Sequence, residues 1–192
     1  MKAKSRLLSL LAKLGYQHRP EGFTLASGAH STEYIDCRKV LSRADAKVWL
    51  GELMLPLVDA RVSAVGGLTM GADPIACVVS MASFGVRDLR SFSVRKDAKE
   101  HGLRKLIEGH VVAGDSVLIV DDVVTTGAST IDAIRKARAE GLKVVQVLIL
   151  VDREEAGGIG KICEAAGSDV PVLALFTKTD IVREWARQQE KT

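Results

Sequence analysis

Two adjacent carboxylates, Asp121 and Asp122, follow the apolar run Val117-Leu118-Ile119-Val120 and precede Val123-Val124-Thr125-Thr126-Gly127-Ala128-Ser129-Thr130. A buried strand that runs into two acids, then into small and hydroxyl-bearing residues, then into a helix, has the makings of a sugar-phosphate site. Small residues let the backbone curl around an anion. Backbone N–H groups and the hydroxyls of Thr125, Thr126, Ser129 and Thr130 can donate to phosphate oxygens, beside the positive end of the helix. The acids cannot serve that phosphate. They suit ribose hydroxyls, whose protons they accept, or a hydrated Mg²⁺. An isolated acidic pair would simply end a strand, with Ser129 capping the next helix; the full succession is more specific than that.

Other segments are ambiguous on their residues alone. Val94-Arg95-Lys96-Asp97-Ala98-Lys99-Glu100-His101-Gly102 reads by spacing as a solvated helix face, with Lys96 and Glu100 paired four apart. Arg153, just past the apolar run Val144–Val151, is placed to grip a carboxylate with two parallel hydrogen bonds, or to pair with a nearby surface acid. Gly66-Gly67-Leu68-Thr69-Met70-Gly71-Ala72-Asp73-Pro74 fits a plain strand-to-helix turn, or a loop whose glycines allow close backbone approach to a diphosphate.

Residues 117–129 resemble, position by position, the PRPP (5-phosphoribosyl 1-diphosphate) signature of type I phosphoribosyltransferases. The resemblance implies ribose-hydroxyl contacts at Asp121 and Asp122. It places the 5-phosphate cradle at Thr125, Thr126, Gly127, Ala128 and Ser129, reached through Val123 and Val124. Three more segments resemble orotate phosphoribosyltransferases. Arg95-Lys96-x-x-Lys99-x-His101-Gly102 is similar to their mobile catalytic loop, which crosses a dimer into the neighbouring active site. Its cations would neutralise the departing pyrophosphate and exclude water, with Lys99 the most critical and His101, of reference pKa about 6.5, able to protonate a leaving oxygen. Asp152-Arg153-Glu154-Glu155 is similar to the segment whose arginine contacts orotate, and Thr125 is implied beside it. Phe23 to Asp36 resembles the N-terminal cover of the base, with Ala26 and Tyr34 at the pyrimidine; a core position is the alternative for Tyr34. Thr69, Met70 and Gly71 fall in the pyrophosphate loop.

Two departures stand out. Some members carry lysine where this chain has Ala26 and Gly71, and Arg38 or Lys39 could supply the missing charge. The resemblance covers roughly residues 20–155. It implies the transfer of orotate to PRPP, giving orotidine 5′-monophosphate and pyrophosphate in pyrimidine synthesis. It implies a homodimer, and Mg²⁺ carried by PRPP with Asp121 or Asp122 reached through water.

The elements that must position these groups alternate. Apolar strands at 62–65, 89–94, 117–120, 144–151 and 170–176 are separated by helices at 44–58, after Pro74, at 129–140 and at 155–166. A further helix is expected at 181–189. An amphipathic helix over Leu7–Leu14 ends at Gly15, and short strands are expected at 23–28 and 33–37. This alternation predicts an α/β fold with a central, mostly parallel sheet flanked by helices. The chain of 192 residues fits one domain, with about residues 1–40 forming a helix and a base-covering hood. Hydrophobic residues make up 47% and aromatics only 4%, which suits a Val/Leu/Ile/Ala core. Net charge of +3 demands no nucleic-acid partner. Cys37, Cys77 and Cys163 are too scattered for a metal site, and reduced thiols with no leader or membrane span point to the cytoplasm. Gly157-Gly158-Ile159-Gly160-Lys161 completes neither a P-loop nor a dinucleotide fingerprint. Two other functions stay open: transfer to another base, which Arg153 would discriminate, and a PRPP-sensing regulator that binds nucleic acid.

Overall fold

The computed structural model describes residues 2–24, 30–97 and 106–190, with the backbone alone at Phe23, Thr24 and His30. Six strands form one sheet in the order β5-β4-β3-β6-β7-β8. They are β3 (Ala64–Leu68), β4 (Arg90–Val94), β5 (Ile107–Gly109), β6 (Ser116–Val124), β7 (Lys143–Asp152) and β8 (Val172–Thr177). All neighbours run parallel except β4 and β5. The α/β architecture is the one expected.

Alternation along β6 builds both cores. Leu118 and Val120 face one side, where Leu50, Met54, Ile75, Val79 and Ile181 pack; Val117 and Ile119 face Ala133, Ile134, Ala137 and Ile162. The first layer is built by α1 (Lys2–Leu10), α3 (Ala44–Met54), α4 (Asp73–Ala82) and α7 (Lys178–Gln189), and the second by α5 (Ala128–Ala139) and α6 (Gly158–Ala166). The helix expected at 44–58 ends at Met54, and Pro56 turns the chain into a single 3-10 turn over Leu55–Leu57. Pro74 occupies the first turn of α4, and Gly141 follows α5 with φ of 78°.

Several boundaries differ from expectation. β6 continues through both acids to Val124, because Asp121, Val123 and Val124 stay paired with Ile149, Val151 and Asp152 of β7. Gly66 and Gly67 lie inside β3, not in a loop after it. A Cβ at Gly66 would meet the Phe92 carbonyl oxygen at 2.4 Å, and one at Gly67 the Val120 carbonyl oxygen at 2.1 Å, so larger residues would force the strands apart. β1 (Tyr16–Thr24) is longer than expected and pairs antiparallel with β2 (His30–Ile35) as a separate hairpin. β2 stops before Asp36, which caps the short helix α2 (Cys37–Leu41) by accepting from the N–H groups of Arg38 and Lys39. Among the described residues, no helix is long and apolar enough to cross a membrane.

Candidate active site

A cavity of about 980 Å³ opens at the carboxyl ends of β3, β4 and β6, where ligands of such sheets bind. Tyr34, Thr69, Met70, Gly71, Arg95, Lys96, Arg153 and every residue from Asp121 to Ser129 line it. Sequence positions 34 to 153 therefore converge on one wall-to-wall site. Ala26, Lys99 and His101 lie outside the described residues.

The two acids have different surroundings. Asp121 is buried; its Oδ2 accepts from the Thr130 hydroxyl at 2.7 Å and its Oδ1 from the Asp122 N–H at 3.0 Å. Asp122 is only half-buried, and its Oδ1 accepts from the Val123 N–H at 3.0 Å. Burial pushes the Asp121 carboxyl up to about 7; the Thr130 bond opposes this and the charge of Asp122 adds to it. Burial likewise raises Asp122. Between the ordinary value of 3.8 and about 7, the unfolded chain has released a proton that folded Asp121 still holds. Stability of the ligand-free protein therefore falls as pH rises through that window. Asp121→Asn should flatten the decline in unfolding temperature between about pH 4 and about pH 7. An unchanged slope in a pH series of thermal unfolding would show that another group controls it.

Past the acids, the chain turns into α5 at Gly127. Gly127 takes φ of 80° and supplies no side chain to cap α5, in contrast to Asp36 on α2 and Thr177 on α7. The start of α5 lines the cavity beside the exposed side chains of Thr126 and Ser129, with the Ala128 N–H donating to the Thr126 hydroxyl at 3.4 Å. The glycine-rich start of α6 explains a motif that looked like a decoy. A Cβ at Gly158 would meet the Thr125 carbonyl oxygen at 2.4 Å, so glycine at 158 lets the start of α6 pack directly behind Thr125.

Opposite, Asp73 organises the turn after β3, accepting from the Thr69 hydroxyl and the Ser93 hydroxyl, each at 2.7 Å. A Cβ at Gly71 would fall 2.4 Å from Asp122 Oδ1, so a lysine there would require the Asp122 carboxylate to shift. Arg95 and Lys96 sit at the root of the charged run. Lys136 of α5 holds the root by donating to the Arg95 and Lys96 carbonyl oxygens, at 3.0 and 2.5 Å. Asp73 and Lys136 were missed in the sequence because their partners are brought near only by the fold.

Tyr34 is half-buried at the cavity, not in the core. Arg153 combines both of its sequence readings: it is 3% exposed, it lines the cavity, and it pairs with Glu155.

Residues 64–158 match the family model described as a phosphoribosyl transferase domain. The orotate phosphoribosyltransferase of Sorangium cellulosum is 39% identical over 184 residues, with 93% of each chain covered. The chain belongs to the orotate phosphoribosyltransferases. Among solved members, the Mycobacterium tuberculosis orotate phosphoribosyltransferase in complex with Fe(III) dicitrate superposes with a TM-score of 0.79 at 37% identity, covering 93% of this chain and 98% of that one. The same enzyme in complex with PRPP gives 0.74 at 30% identity, covering 94% and 92%. As in the orotate phosphoribosyltransferases as a group, the sheet here is mostly parallel with helices on both faces, the type I phosphoribosyltransferase fold.

Proposed function

We propose that this cleft joins orotate to PRPP, with release of pyrophosphate and formation of orotidine 5′-monophosphate. The observation that carries the assignment of roles is the union, in one cavity, of the acid pair ending β6, the start of α5 at Gly127 and the buried Arg153. The 5-phosphate takes the N–H groups and hydroxyls of Thr125 to Ser129. Asp122, with Asp121 behind it, accepts from the ribose hydroxyls. The diphosphate lies along Thr69, Met70 and Gly71 under Arg95 and Lys96, and orotate meets Thr125, Tyr34 and Arg153. The β1–β2 hairpin acts as the hood over the base.

The reaction is a displacement at the anomeric carbon. Its bond to the pyrophosphate oxygen breaks, and orotate N1 gives up its proton and supplies the electron pair of the new C–N bond, while the departing pyrophosphate oxygen takes the pair of the broken C–O bond and can accept a proton in turn. Positive charge builds on the ribose as the leaving group departs, and the carboxylates of Asp121 and Asp122 offset it. Lys99 and His101 are assigned to the negative charge that gathers on pyrophosphate. The protein contributes positioning and electrostatics, with no covalent intermediate. Hard carboxylate oxygens at the cavity wall fit a hydrated Mg²⁺ whose other ligands come from PRPP and water, with Asp121 or Asp122 reached through a water. When bound, that ion supplies positive charge to the diphosphate.

The test is loss of orotate absorbance on adding PRPP, with and without Mg²⁺. We expect loss only in the complete mixture; a complete mixture that leaves orotate intact contradicts the reading. Arg153→Ala should raise the KM for orotate by roughly 10²-fold, the scale of removing a charged hydrogen-bond partner from a carboxylate. An unchanged KM would remove Arg153 from the substrate site.

The working form is proposed to be a homodimer, with the Lys99 loop shared between copies. Support comes from α3, α4 and the turn that follows α4, where Val48, Met81, Phe84 and Val86 are 59–84% exposed. Light scattering should give twice the chain mass, reduced by Met81→Glu; a monomeric native protein contradicts this. The free thiols of Cys37, Cys77 and Cys163 suit the reducing cytoplasm expected for it.

A further inference from the structure

Arg153 enters the cavity already committed on one edge. Its Nε donates to Glu155 Oε2 and its Nη2 to Glu155 Oε1, both at 3.1 Å, so the two parallel bonds of a guanidinium–carboxylate pair are made within the protein. Nη2 also reaches the Ser31 hydroxyl and the Glu33 carbonyl oxygen, each at 3.2 Å. Among the described residues, Nη1 alone has no partner, and it belongs to a side chain in the cavity wall.

Glu155 is itself held. Lys178 at the start of α7 donates to Glu155 Oε1 at 2.9 Å and to Glu33 Oε2 at 3.0 Å, and Glu33 Oε1 accepts from the Tyr16 hydroxyl at 2.7 Å. The chain of contacts joins the loop after β7, α7 and the hairpin that carries Tyr34. Burial would raise Glu155 and Glu33, but the bonds from Arg153 and Lys178 to the first, and from Tyr16 and Lys178 to the second, outweigh it and hold both below the usual carboxylate range. Glu155 and Glu33 therefore stay ionised at neutral pH.

We infer that Glu155 and Lys178 are positioning residues that fix Arg153 so that its Nη1 edge meets the carboxylate of orotate. This rests on the reading that Arg153 binds that carboxylate. A guanidinium with every donor but Nη1 engaged has one orientation, so little order remains to be imposed when substrate arrives. Substrate affinity is thereby set by residues that never touch substrate. A plain stapling role for the network would instead affect both substrates and stability alike.

The experiment is steady-state kinetics on the full chain, with the KM for orotate and for PRPP measured separately. Glu155→Gln should raise the KM for orotate about tenfold while that for PRPP moves less than about twofold. Lys178→Met should give a smaller shift of the same kind, which Lys178→Arg restores; it also reports if the Glu155 variant does not fold. In an Arg153→Ala background, Glu155→Gln should add nothing further. If Arg153→Ala raises the KM for orotate and Glu155→Gln leaves it unchanged, lowers it, or raises both KM values together, the positioning role is wrong while the Arg153 assignment stands. If Arg153→Ala itself has no effect, the underlying assignment fails.

Discussion

Asp122→Asn is expected to lower kcat/KM for PRPP by roughly 10²–10³-fold, the scale of removing a preorganised charged group from a reacting centre. Asparagine keeps the size and the single acceptor that Val123 needs, so the bond at 3.0 Å from the Val123 N–H survives. What it loses is the negative charge proposed to face the ribose and one acceptor for a hydroxyl proton. Because positive charge on the ribose is greatest in the transition state, kcat should fall along with PRPP affinity. Asp121→Asn should be less severe in catalysis, since that side chain is buried and directed at Thr130 and the Asp122 N–H. A variant at 122 that retained native kcat/KM would move the ribose away from the end of β6.

Lys99→Ala is expected to cut kcat by roughly 10³-fold with PRPP affinity changed less than about tenfold, because the charge it is proposed to answer appears only as pyrophosphate leaves. Single-turnover kinetics at saturating substrate separate this from slow product release. A variant that lost affinity in proportion to rate would show Lys99 to be a ground-state contact. The root of its segment is ordered from outside, by Lys136 on the Arg95 and Lys96 carbonyl oxygens and by the Arg95 N–H to the Leu106 carbonyl oxygen at 2.8 Å.

Much of this site was legible because it is local in sequence. Val117 to Ser129 carries its strand, its acids and its nest in a single run, and each property depends on residue type at a fixed spacing. The continuation of β6 through Asp121 and Asp122 was not legible, since charged residues break the apolar pattern and only pairing with β7 keeps them extended. β5 escaped notice because three residues antiparallel to an edge leave no periodicity. Asp36 looked like part of a strand, and its capping bonds set the end of β2 instead. The Tyr16, Glu33, Arg153, Glu155 and Lys178 network spans the chain from 16 to 178, and no spacing rule links residues that only the fold brings together. The two candidate interpretations of Arg153, ion pair or substrate clamp, were separable in sequence but coexist once the residue is buried in the cavity wall.

The most direct measurement is calorimetric titration of the purified protein with PRPP in the presence of Mg²⁺. The arrangement at the end of β6 predicts saturable binding that Asp122→Asn weakens and that an excess of ribose 5-phosphate competes away. Absence of any binding heat up to saturating PRPP, confirmed by no displacement of a bound nucleotide product, would contradict a sugar-phosphate site there.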